Sequence, residues 1–433
     1  MRIAVSSLGC KTNQYEMDAL AEDFRRRGHD VVNENDIADV YVLNTCTVTA
    51  EAERKSRQLL RRFRRQNEKA LVVATGCYSE RSDLSYLADI AIGTTGRDRL
   101  PQMILAMIEK DHDKSFDAIP VTPSYEELGA PAVPLETRAF LKIQDGCDNR
   151  CSYCAICIAR GPARSRPLDN ILREALELSS LGFKELVLTG TNINAYGHDF
   201  EADSKIELIH VVEALDNLQG IERIRLGSLE SPTITPLFLD RLSSLNHFCP
   251  SFHLSLQSGS DPILKRMARR DTTESFRQTV ALIRDSFPDA GITADLIVGF
   301  PGESDEDFQK TLAFCDEIAF LRLHVFRFSA RPGTRAATMP AQVPGDVVQL
   351  RSEILRKKSD ALFQNAVRRH VGQVLNILVE QYDKDGFILG YTPEYIHVKA
   401  KPETPGMPMP ARGDIIPVKI KGLDQDFATA ALL

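Results

Sequence analysis

Six short apolar segments recur between residues 135 and 345, and each ends in polar or glycine-containing residues before a helical stretch begins. The segments are Phe140–Ile143, Glu185–Leu188, Arg223–Leu226, Phe252–Leu256, Thr293–Val298 and Leu323–Phe328. Buried strands that alternate with helices predict a parallel α/β arrangement, and functional groups at the carboxyl ends of the strands are typical of β/α barrels. Because there are six units rather than eight, the pattern predicts an open, partial barrel.

The loop after the first of these segments carries three closely spaced cysteines, called the barrel cysteines below. Cys147, Cys151 and Cys154 form a C-x3-C-x2-C motif. A [4Fe–4S] cube that is fully ligated by protein takes four cysteines, so three leave one iron open to bind a substrate. Zinc sites usually have two C-x2-C pairs or a mixture of Cys and His. No second pair follows here, and the next histidine is the distant His198. The motif therefore favours an iron–sulfur cluster.

The composition narrows the class of protein. Of the 433 residues, 43% are hydrophobic and 26% are charged, as in soluble globular proteins. The 9 cysteines are an odd number and no secretory segment is visible, so a reducing, cytoplasmic location is favoured over a disulfide framework. No apolar run approaches the roughly 18 residues that span a bilayer. Since the net charge is −7, binding of nucleic acid would need local basic patches.

The regions before the barrel divide into a domain and a linker. Residues 1–118 contain apolar runs at Ile3–Leu8, Val40–Leu43 and Leu71–Ala74, which alternate with helical patterns near Gln14–Arg27 and Thr49–Arg65. This alternation predicts a small parallel α/β domain. Residues 119–134 follow as a predicted linker. Its prolines are Pro120, Pro123, Pro131 and Pro134.

The barrel is assigned to residues 135–365, and a helix predicted over Pro344–Arg369 leads out of it. Residues 366–433 hold short β-like runs separated by turn residues, which predicts a small β-barrel. The runs are Val374–Val379, Gly386–Leu389, Ile396–Val398, Ile415–Ile420 and Phe427–Ala431.

Residues 1–118 contain a second set of three cysteines, called the N-terminal cysteines below. Cys10, Cys46 and Cys77 each follow one of the three predicted strands. The carboxyl ends of parallel strands meet at one edge of a sheet, so we expect the three thiols to lie close together. Free cysteines are also common in protein cores, but core thiols are expected in the middle of strands. The positions favour a second three-cysteine cluster.

With both cysteine sets, the chain resembles the methylthiotransferases, radical S-adenosylmethionine (SAM) enzymes that add a methylthio group to a C–H position. The resemblance covers the whole length, and it implies an N-terminal three-cysteine domain, a radical SAM core and a C-terminal TRAM β-barrel. Four motifs are similar to those of the MtaB branch, which modifies N6-threonylcarbamoyladenosine at position 37 of tRNA, next to the anticodon. They are Leu8-Gly-Cys-Lys-Thr-Asn-Gln-Tyr-Glu16, Phe140-Leu-Lys-Ile-Gln-Asp-Gly-Cys147, Leu256-Gln-Ser-Gly-Ser260 and Gly390-Tyr-Thr-Pro-Glu-Tyr-Ile396.

The resemblance implies two [4Fe–4S] clusters and SAM as cofactors, with no catalytic residue beyond the cluster ligands. The barrel cysteines would hold the cluster that binds and cleaves SAM, and the resulting radical would remove hydrogen from C2 of the adenine ring. The N-terminal cysteines would hold the cluster that carries the sulfur, and a second SAM would supply the methyl group. The implied partners are the anticodon stem-loop of tRNA and an electron donor such as flavodoxin or ferredoxin, with the enzyme acting as a monomer.

Candidates for SAM contact follow the later barrel strands. Thr189-Gly-Thr-Asn192 lies where this superfamily binds the SAM amino group, although the usual glycine/glutamate version is absent and a plain turn is equally compatible. Two further strand ends would hold the SAM ribose or carboxylate, or simply cap the strands. Gly299-Phe-Pro-Gly302 would let backbone approach the adenine, or form a simple turn. The side chains and backbone named for SAM binding are Gly190, Thr191, Asn192, Ser228 and Gln257.

One position departs from the family pattern. Cys157 stands where proline is usual, so Cys154-Ala-Ile-Cys157 offers a fourth thiol near the open iron. We expect Cys157 not to ligate iron, because the chain should be entering a helix there. Cys249 and Cys315 are expected to be buried structural residues.

Contact with RNA is predicted for one helix. Arg54-Lys-Ser-Arg57 and Arg61-Arg-Phe-Arg-Arg65 place seven basic residues on it with no acid between 54 and 65, which favours phosphate contact over a merely solvated face. Residues 366–433 have eight Lys/Arg and eight Asp/Glu, so an RNA role for that region rests on family analogy. Tyr391 and Tyr395 would stack on RNA or serve only in packing.

Three rival functions are considered. The first is methylthiolation of isopentenyladenosine in tRNA or of a ribosomal-protein aspartate by another branch of the family. The second is a cobalamin-dependent radical SAM methylase, which needs an Asp-x-His-x-x-Gly loop, and none of the nine histidines has Asp two positions before it. The third is a non-enzymatic RNA-binding or electron-transfer protein, which would not cleave SAM.

Overall fold

The N-terminal region is a parallel sheet covered by helices on both faces. The computed structural model of the chain describes residues 1–109, 124–129, 137–201, 203–402, 408–424 and 426–433. The strands are β1 (Arg2–Ser7), β2 (Asp30–Val32), β3 (Val40–Thr45), β4 (Leu71–Gly76) and β5 (Ile90–Ala91), in the order β2-β1-β3-β4-β5. The helices are α1 (Lys11–Arg26), α2 (Ala50–Gln66), α3 (Cys77–Arg81) and α4 (Leu100–Ile108). All six residues of β3 are buried, as expected for a central strand between two helical layers. The three predicted strands are confirmed, and the short β2 and β5 extend the sheet at its edges.

The central region is an open wall of strands with helices on its outer face. Its strands are β6 (Arg138–Asp145), β7 (Arg164–Ser165), β8 (Glu185–Gly190), β9 (Arg223–Leu226), β10 (Ser228–Leu229), β11 (Ser251–Gln257), β12 (Gly291–Val298) and β13 (Arg322–Arg327). Its helices are α5 (Ile156–Arg160), α6 (Leu168–Ser180), α7 (Leu208–Asp216), α8 (Pro236–Ser243), α9 (Asp261–Arg266), α10 (Thr273–Ser286) and α11 (Asp305–Ile318). The strands pair in the orders β7-β6-β8-β9 and β10-β11-β12-β13.

The two groups of strands are consecutive parts of one barrel wall. β9 and β10 are separated only by Gly227, whose N–H donates to the Leu188 carbonyl at 2.9 Å. The Cys249 N–H also donates to the Ile224 carbonyl at 2.8 Å, which ties the segment before β11 to β9. The six predicted strands and the partial barrel are therefore confirmed. β7 is the exception to the parallel arrangement, since it runs antiparallel to β6.

The C-terminal region is a closed five-stranded barrel reached through a long helix. The helix is α12 (Gly345–Arg368), and the strands are β14 (Val374–Tyr382), β15 (Ile388–Tyr391), β16 (His397–Lys401), β17 (Ile415–Asp424) and β18 (Phe427–Leu432). The strand order is β14-β15-β16-β18-β17. Alternating side chains such as Ile377, Val398 and Ile420 fill the interior and are at most 1% exposed. The predicted helix and small β-barrel are confirmed.

The loop between β15 and β16 packs against the central region. Arg223 donates to the Tyr391 carbonyl at 2.9 Å, and Arg225 donates to the Pro393 carbonyl at 2.8 Å. The rings of Tyr391 and Tyr395 stack at 4.6 Å, and the Arg138 guanidinium lies over both of them. Of the two roles considered for these tyrosines, the structure therefore shows packing.

The prolines of the predicted linker lie outside the described residues. Residues 124–129 are described, and they contact both the barrel and the N-terminal region. The Tyr125 hydroxyl donates to the Lys142 carbonyl at 2.9 Å, and Glu126 pairs with Arg97 at 2.7 Å. In the part of the chain that the structure describes, no helix combines the length and apolar character needed to cross a membrane.

Candidate functional site

The barrel cysteines lie in a closed loop between β6 and α5. Gly146 has φ +72°, and a Cβ placed on it would lie 1.8 Å from the Pro162 carbonyl oxygen, so only glycine fits. The Cys147 N–H donates to the Gly161 carbonyl at 3.0 Å, which closes the loop on itself. The loop is therefore held in one compact arrangement by its own backbone.

Each barrel cysteine sulfur has at least one nearby N–H donor. These donors include the backbone N–H of Ile156 to Cys154 at 3.4 Å, the side-chain amide of Asn192 to Cys147 at 3.7 Å, and Arg269 to Cys151 at 3.8 Å. Burial raises the pKa of Cys154 to about 12 and also raises that of Cys147. Because donors and metal cations favour the thiolate, these sulfurs suit metal ligation better than free ionisation.

Cys157 lies inside α5, as expected from the sequence. Its Sγ lies 3.8 Å from the carbonyl oxygen of Cys154, within its own helical turn. The exclusion of Cys157 from iron ligation stays a prediction. Cys249 and Cys315 are buried, at 1% and 0% exposure, as expected for structural thiols.

The N-terminal cysteines meet at the carboxyl edge of the N-terminal sheet. Cys10 caps the start of α1, Cys46 follows β3, and Cys77 begins α3 after β4. A Cβ placed on Gly9 would lie 2.7 Å from the Cys46 sulfur, so the loop that carries Cys10 passes directly over Cys46. The three thiols also influence one another electrostatically. Three sulfurs at one edge, with Cys10 exposed, form a donor set that fits an iron–sulfur cluster.

Two of these thiols are buried deeply enough to need a compensating positive charge. Burial raises the pKa of Cys46 to about 12 and raises the pKa of Cys77, against the lowering effect of Arg160. A thiol of this kind stays protonated at neutral pH unless a cation replaces the proton. Metal binding at this edge is therefore expected to release protons.

A buried ion network connects the two cysteine loops. Arg160 pairs with Glu16 of α1 and with Asp145, two residues before Cys147, both at 2.8 Å. Lys142 joins the same two carboxylates at 2.8 and 2.7 Å. Burial alone would raise the pKa of Glu16, but the surrounding cations outweigh it and hold that pKa well below its usual range. The network was not predicted from the sequence, because its members lie far apart along the chain.

The residues named for SAM binding lie in different environments, and only some of them contact the loop of the barrel cysteines. The Thr191 hydroxyl donates to Asp145 at 3.0 Å and the Asn192 amide to Cys147, so both are engaged around the barrel cysteines. A Cβ on Gly190 would lie 2.8 Å from the Gln144 carbonyl oxygen, which explains glycine by close packing of β6 and β8. The structure places the remaining two at the ends of β10 and β11. They are Ser228, which is exposed and begins β10 directly after β9, and Gln257, which is the last residue of β11 and is buried with φ +76°.

The Gly299–Gly302 segment is a turn. Gly299 has φ +74° and its N–H donates to Glu303 at 2.7 Å. Arg266 donates to the Pro301 carbonyl at 2.8 Å and so holds the other end of the turn. These contacts fix the backbone at the end of β12, beside the carboxyl ends of the other barrel strands.

Three further polar side chains share one face of the barrel wall. The Asp295 carboxylate lies 3.2 Å from His253 Nε2 and 3.4 Å from His324 Nδ1, and these hydrogen bonds outweigh burial and lower its pKa. His253 Nδ1 is held at 2.8 Å by the Thr293 hydroxyl. Along β11 the apolar neighbours of His253 are buried against the helices, so His253 and its partners face the interior. The sequence signal for this group is the alternation of apolar and polar residues along the strands, which indicates which side chains face the barrel interior.

The predicted basic helix is α2, and it carries all seven basic residues. Several are already paired, for example Arg62 with Glu34 and Arg64 with Asp89. Lys55, Arg61 and Arg65 are exposed and have no ion-pair partner among the residues that the structure describes. They line a groove of about 600 Å³ along the helix. This face, called the α2 groove below, is a candidate surface for phosphates.

Similarity to known proteins extends over about nine-tenths of the chain. The radical SAM superfamily matches residues 141–315, and an uncharacterized protein family, UPF0004, matches residues 2–92. The threonylcarbamoyladenosine tRNA methylthiotransferase MtaB of Bacillus subtilis is 37% identical over 408 residues, which cover 92% of this chain and 90% of the relative. The MtaB of Thermotoga maritima is 35% identical over 398 residues, with coverage of 91% and 90%.

Relatives with a different substrate in their name are also similar. A tRNA-2-methylthio-N(6)-dimethylallyladenosine synthase of Pelotomaculum thermopropionicum is 33% identical over 399 residues, which cover 88% of each chain. Among solved structures, the radical SAM methyltransferase TsrM of Kitasatospora setae, with tryptophan and a SAM analogue bound, has a TM-score of 0.58 at 16% identity. It covers 78% of this chain and 75% of TsrM. At that identity the likeness is one of fold.

Proposed function

This chain belongs to the radical SAM tRNA methylthiotransferases, and we propose that it adds a methylthio group to C2 of N6-threonylcarbamoyladenosine at position 37 of tRNA. The observation that carries the proposal is the presence of two separate three-cysteine sites joined by one buried ion network. Cleavage of SAM alone requires one such site, and transfer of sulfur accounts for the second. The choice of nucleoside is supported by the names of relatives that are 35–37% identical over about nine-tenths of the chain.

We assign one [4Fe–4S] cluster to the barrel cysteines and one to the N-terminal cysteines. When bound, these groups supply the electron that cleaves SAM to a 5′-deoxyadenosyl radical and the sulfur that is transferred. The chain's own residues orient the ligands. Asn192 and Arg269 donate to barrel cysteine sulfurs, and Gly146 allows the loop to close. Ser228 and Gln257 remain our candidates for SAM contact at the carboxyl edge of the barrel.

The target nucleotide is proposed to enter the barrel interior from the side of the N-terminal sheet. Two contacts tie the start of α2, which packs on the N-terminal sheet, to the loop after β13. Arg331 pairs with Glu53 at 2.7 Å, and the Ala50 N–H donates to Ser329 at 3.0 Å. The α2 groove lies on the same sheet and is our candidate for phosphates of the anticodon stem-loop. We further infer a cytoplasmic monomer that takes electrons from a flavodoxin- or ferredoxin-type donor, in keeping with its free cysteines.

Anaerobic reconstitution tests the two-cluster assignment. We expect about eight irons per chain, and about four after replacement of the three N-terminal cysteines by alanine. That variant should still form 5′-deoxyadenosine from SAM but no methylthio product. About four irons in the unaltered protein would contradict the assignment.

Mass spectrometry of tRNA nucleosides from a deletion strain tests the substrate. We expect threonylcarbamoyladenosine to lose its methylthio group, while the methylthiolated isopentenyladenosine stays unchanged. The opposite result would assign the protein to the other branch, and loss of neither modification would refute a role in tRNA.

A further inference from the structure

Arg160 crosses from the barrel cysteine loop to the N-terminal cysteines. It is the last residue of α5 and only 3% exposed. Its Nε donates to the Cys77 sulfur at 3.3 Å, and Nη1 donates to Glu16 and Asp145, each at 2.8 Å. Nη2 donates to the Asn13 side-chain oxygen at 2.8 Å. All three nitrogens of the guanidinium are therefore engaged.

The backbone around Arg160 fixes the direction of this side chain. The Thr94 hydroxyl, after β5, donates to the carbonyl of Ala159 at 2.8 Å. Gly161, with φ +71°, turns the chain back toward the barrel cysteines immediately after α5. A planar guanidinium that is held on several sides keeps its Nε–H pointing in one direction. The contact with Cys77 is thus part of a rigid arrangement.

We propose that Arg160 raises the reduction potential of the cluster held by the N-terminal cysteines, through its hydrogen bond to the Cys77 sulfur. The inference rests on the proposed function, which assigns Cys77 as a ligand. Hydrogen bonds to ligand sulfurs tune the potentials of iron–sulfur clusters. A cationic donor stabilises the reduced cluster more than the oxidised one, because the added electron increases the negative charge on the sulfurs. Arg160 is a positioning residue in the same contact, since it links Cys77 to the loop of the barrel cysteines.

The barrel cysteines offer a contrast. Arg269 is the corresponding donor and, like Arg160, it pairs with two carboxylates, but its Nη1 lies 3.8 Å from the Cys151 sulfur. The shorter contact of Arg160 is therefore expected to have the larger effect on its cluster. The two arginines give the protein separate means to adjust two clusters in one chain.

The test measures the midpoint potential of the N-terminal cluster alone. In the full chain with Cys147, Cys151 and Cys154 replaced by alanine, the reduced N-terminal cluster is followed by EPR during a redox titration. We expect Arg160→Lys, which keeps the positive charge but loses the Nε donor, to shift the potential to a more negative value. The matched control is Arg97→Lys in the same background. Arg97 also pairs with Glu16 but contacts no cysteine among the described residues, so the potential should not move.

A second measurement needs no substitution at Arg160. Protein labelled with ¹⁵N-arginine is reduced in the same background, and pulsed EPR should detect a ¹⁵N coupling to the N-terminal cluster. If Arg160→Lys fails to hold iron, this measurement still shows whether Arg160 contacts the N-terminal cluster. A cluster without the coupling, or with the same potential in Arg160→Lys, would overturn the inference and leave the proposed function intact. Absence of any cluster in this background would overturn both.

Discussion

The C-terminal barrel should loosen from the rest of the protein at mildly acid pH because of His397. The His397 ring stacks on Tyr391 at 4.4 Å, with 4° between the planes, and lies 4.4 Å from the Phe427 ring. Burial together with Arg322 and Arg138 lowers the pKa of His397 from 6.5 to about 4, while Asp426 acts weakly in the opposite direction. Protonation would place a third positive charge at a contact that already holds two arginines.

The sign and size of this loss of stability follow from the difference between the pKa of His397 in the folded state and its pKa in the unfolded state. As the pH falls below 6.5, His397 becomes protonated in the unfolded chain. In the folded chain it becomes protonated only near pH 4. Stability from this residue is therefore complete above pH 6.5 and is lost as the pH falls toward 4. At about 1.4 kcal/mol per pKa unit, lowering the pH from about 7 to about 5 costs about 2 kcal/mol. Solvent screening of the partly exposed ring reduces this to about 1 kcal/mol.

Hydrogen exchange of peptides covering residues 388–401, corrected for the intrinsic pH dependence of exchange, measures the opening free energy. His397→Phe is the matched variant, because it keeps an aromatic ring for stacking and cannot be protonated. We expect the unaltered protein to lose about 1 kcal/mol more than this variant between about pH 7 and about pH 5. An equal loss in both proteins would refute the argument.

Three further changes test the sites. Cys157→Ala should leave the iron content at its full value, whereas a loss of about four irons would make Cys157 a ligand. Gly9→Ala should remove about half of the iron, since φ is +108° and the new Cβ would lie 2.7 Å from the Cys46 sulfur. Arg61→Gln with Arg65→Gln should weaken tRNA binding and lower the dependence of log Kd on log salt by about 2.

Controls separate these effects from general destabilisation. Arg54→Gln on the same helix should change tRNA binding little, because Arg54 is already paired with Glu51 at 2.5 Å. An equal loss in this control and in the double variant would remove the α2 groove as the RNA surface. For the iron measurements, Cys249→Ala alters a buried thiol just before β11, whose backbone N–H bonds to Ile224 of β9, and the iron content of this variant should be unchanged.

The strands could be predicted because burial on both faces gives continuous apolar runs. β3 and β4 were located to within two residues, since their apolar runs are followed by polar residues or glycine. β2 and β5 were missed because three and two residues are too few to show a period. They are short edge strands whose pairing depends on the sheet already being present. The meeting of the N-terminal cysteines followed from topology, which local sequence does determine.

The side-chain contacts within the site could not be predicted in the same way. Arg160 and Cys77 are separated by 83 residues, and nothing near either residue in sequence specifies the other. The role of Tyr395 was left open for a related reason, because an aromatic residue in a turn has the same local pattern whether it stacks on RNA or on another tyrosine. The group around Asp295 was accessible in principle. Successive side chains of a strand point to opposite faces of the sheet. The alternation along β11, β12 and β13 therefore places His253, Asp295 and His324 on the same face.

The charges in the buried network add a physical reason for placing anionic clusters beside it. The cations are Arg97, Lys142, Arg160 and Arg164, and the carboxylates are Glu16, Glu126 and Asp145. Four cations against three carboxylates leave one positive charge without a carboxylate partner among these residues, and uncompensated buried charge is costly. In the proposed assignment, the sulfurs of the N-terminal cysteines are ionised when they hold a cluster, and Cys77 would then supply the missing negative charge. The network and the cluster ligands are therefore expected to stabilise each other, so that loss of iron should destabilise the contact between the N-terminal sheet and the barrel.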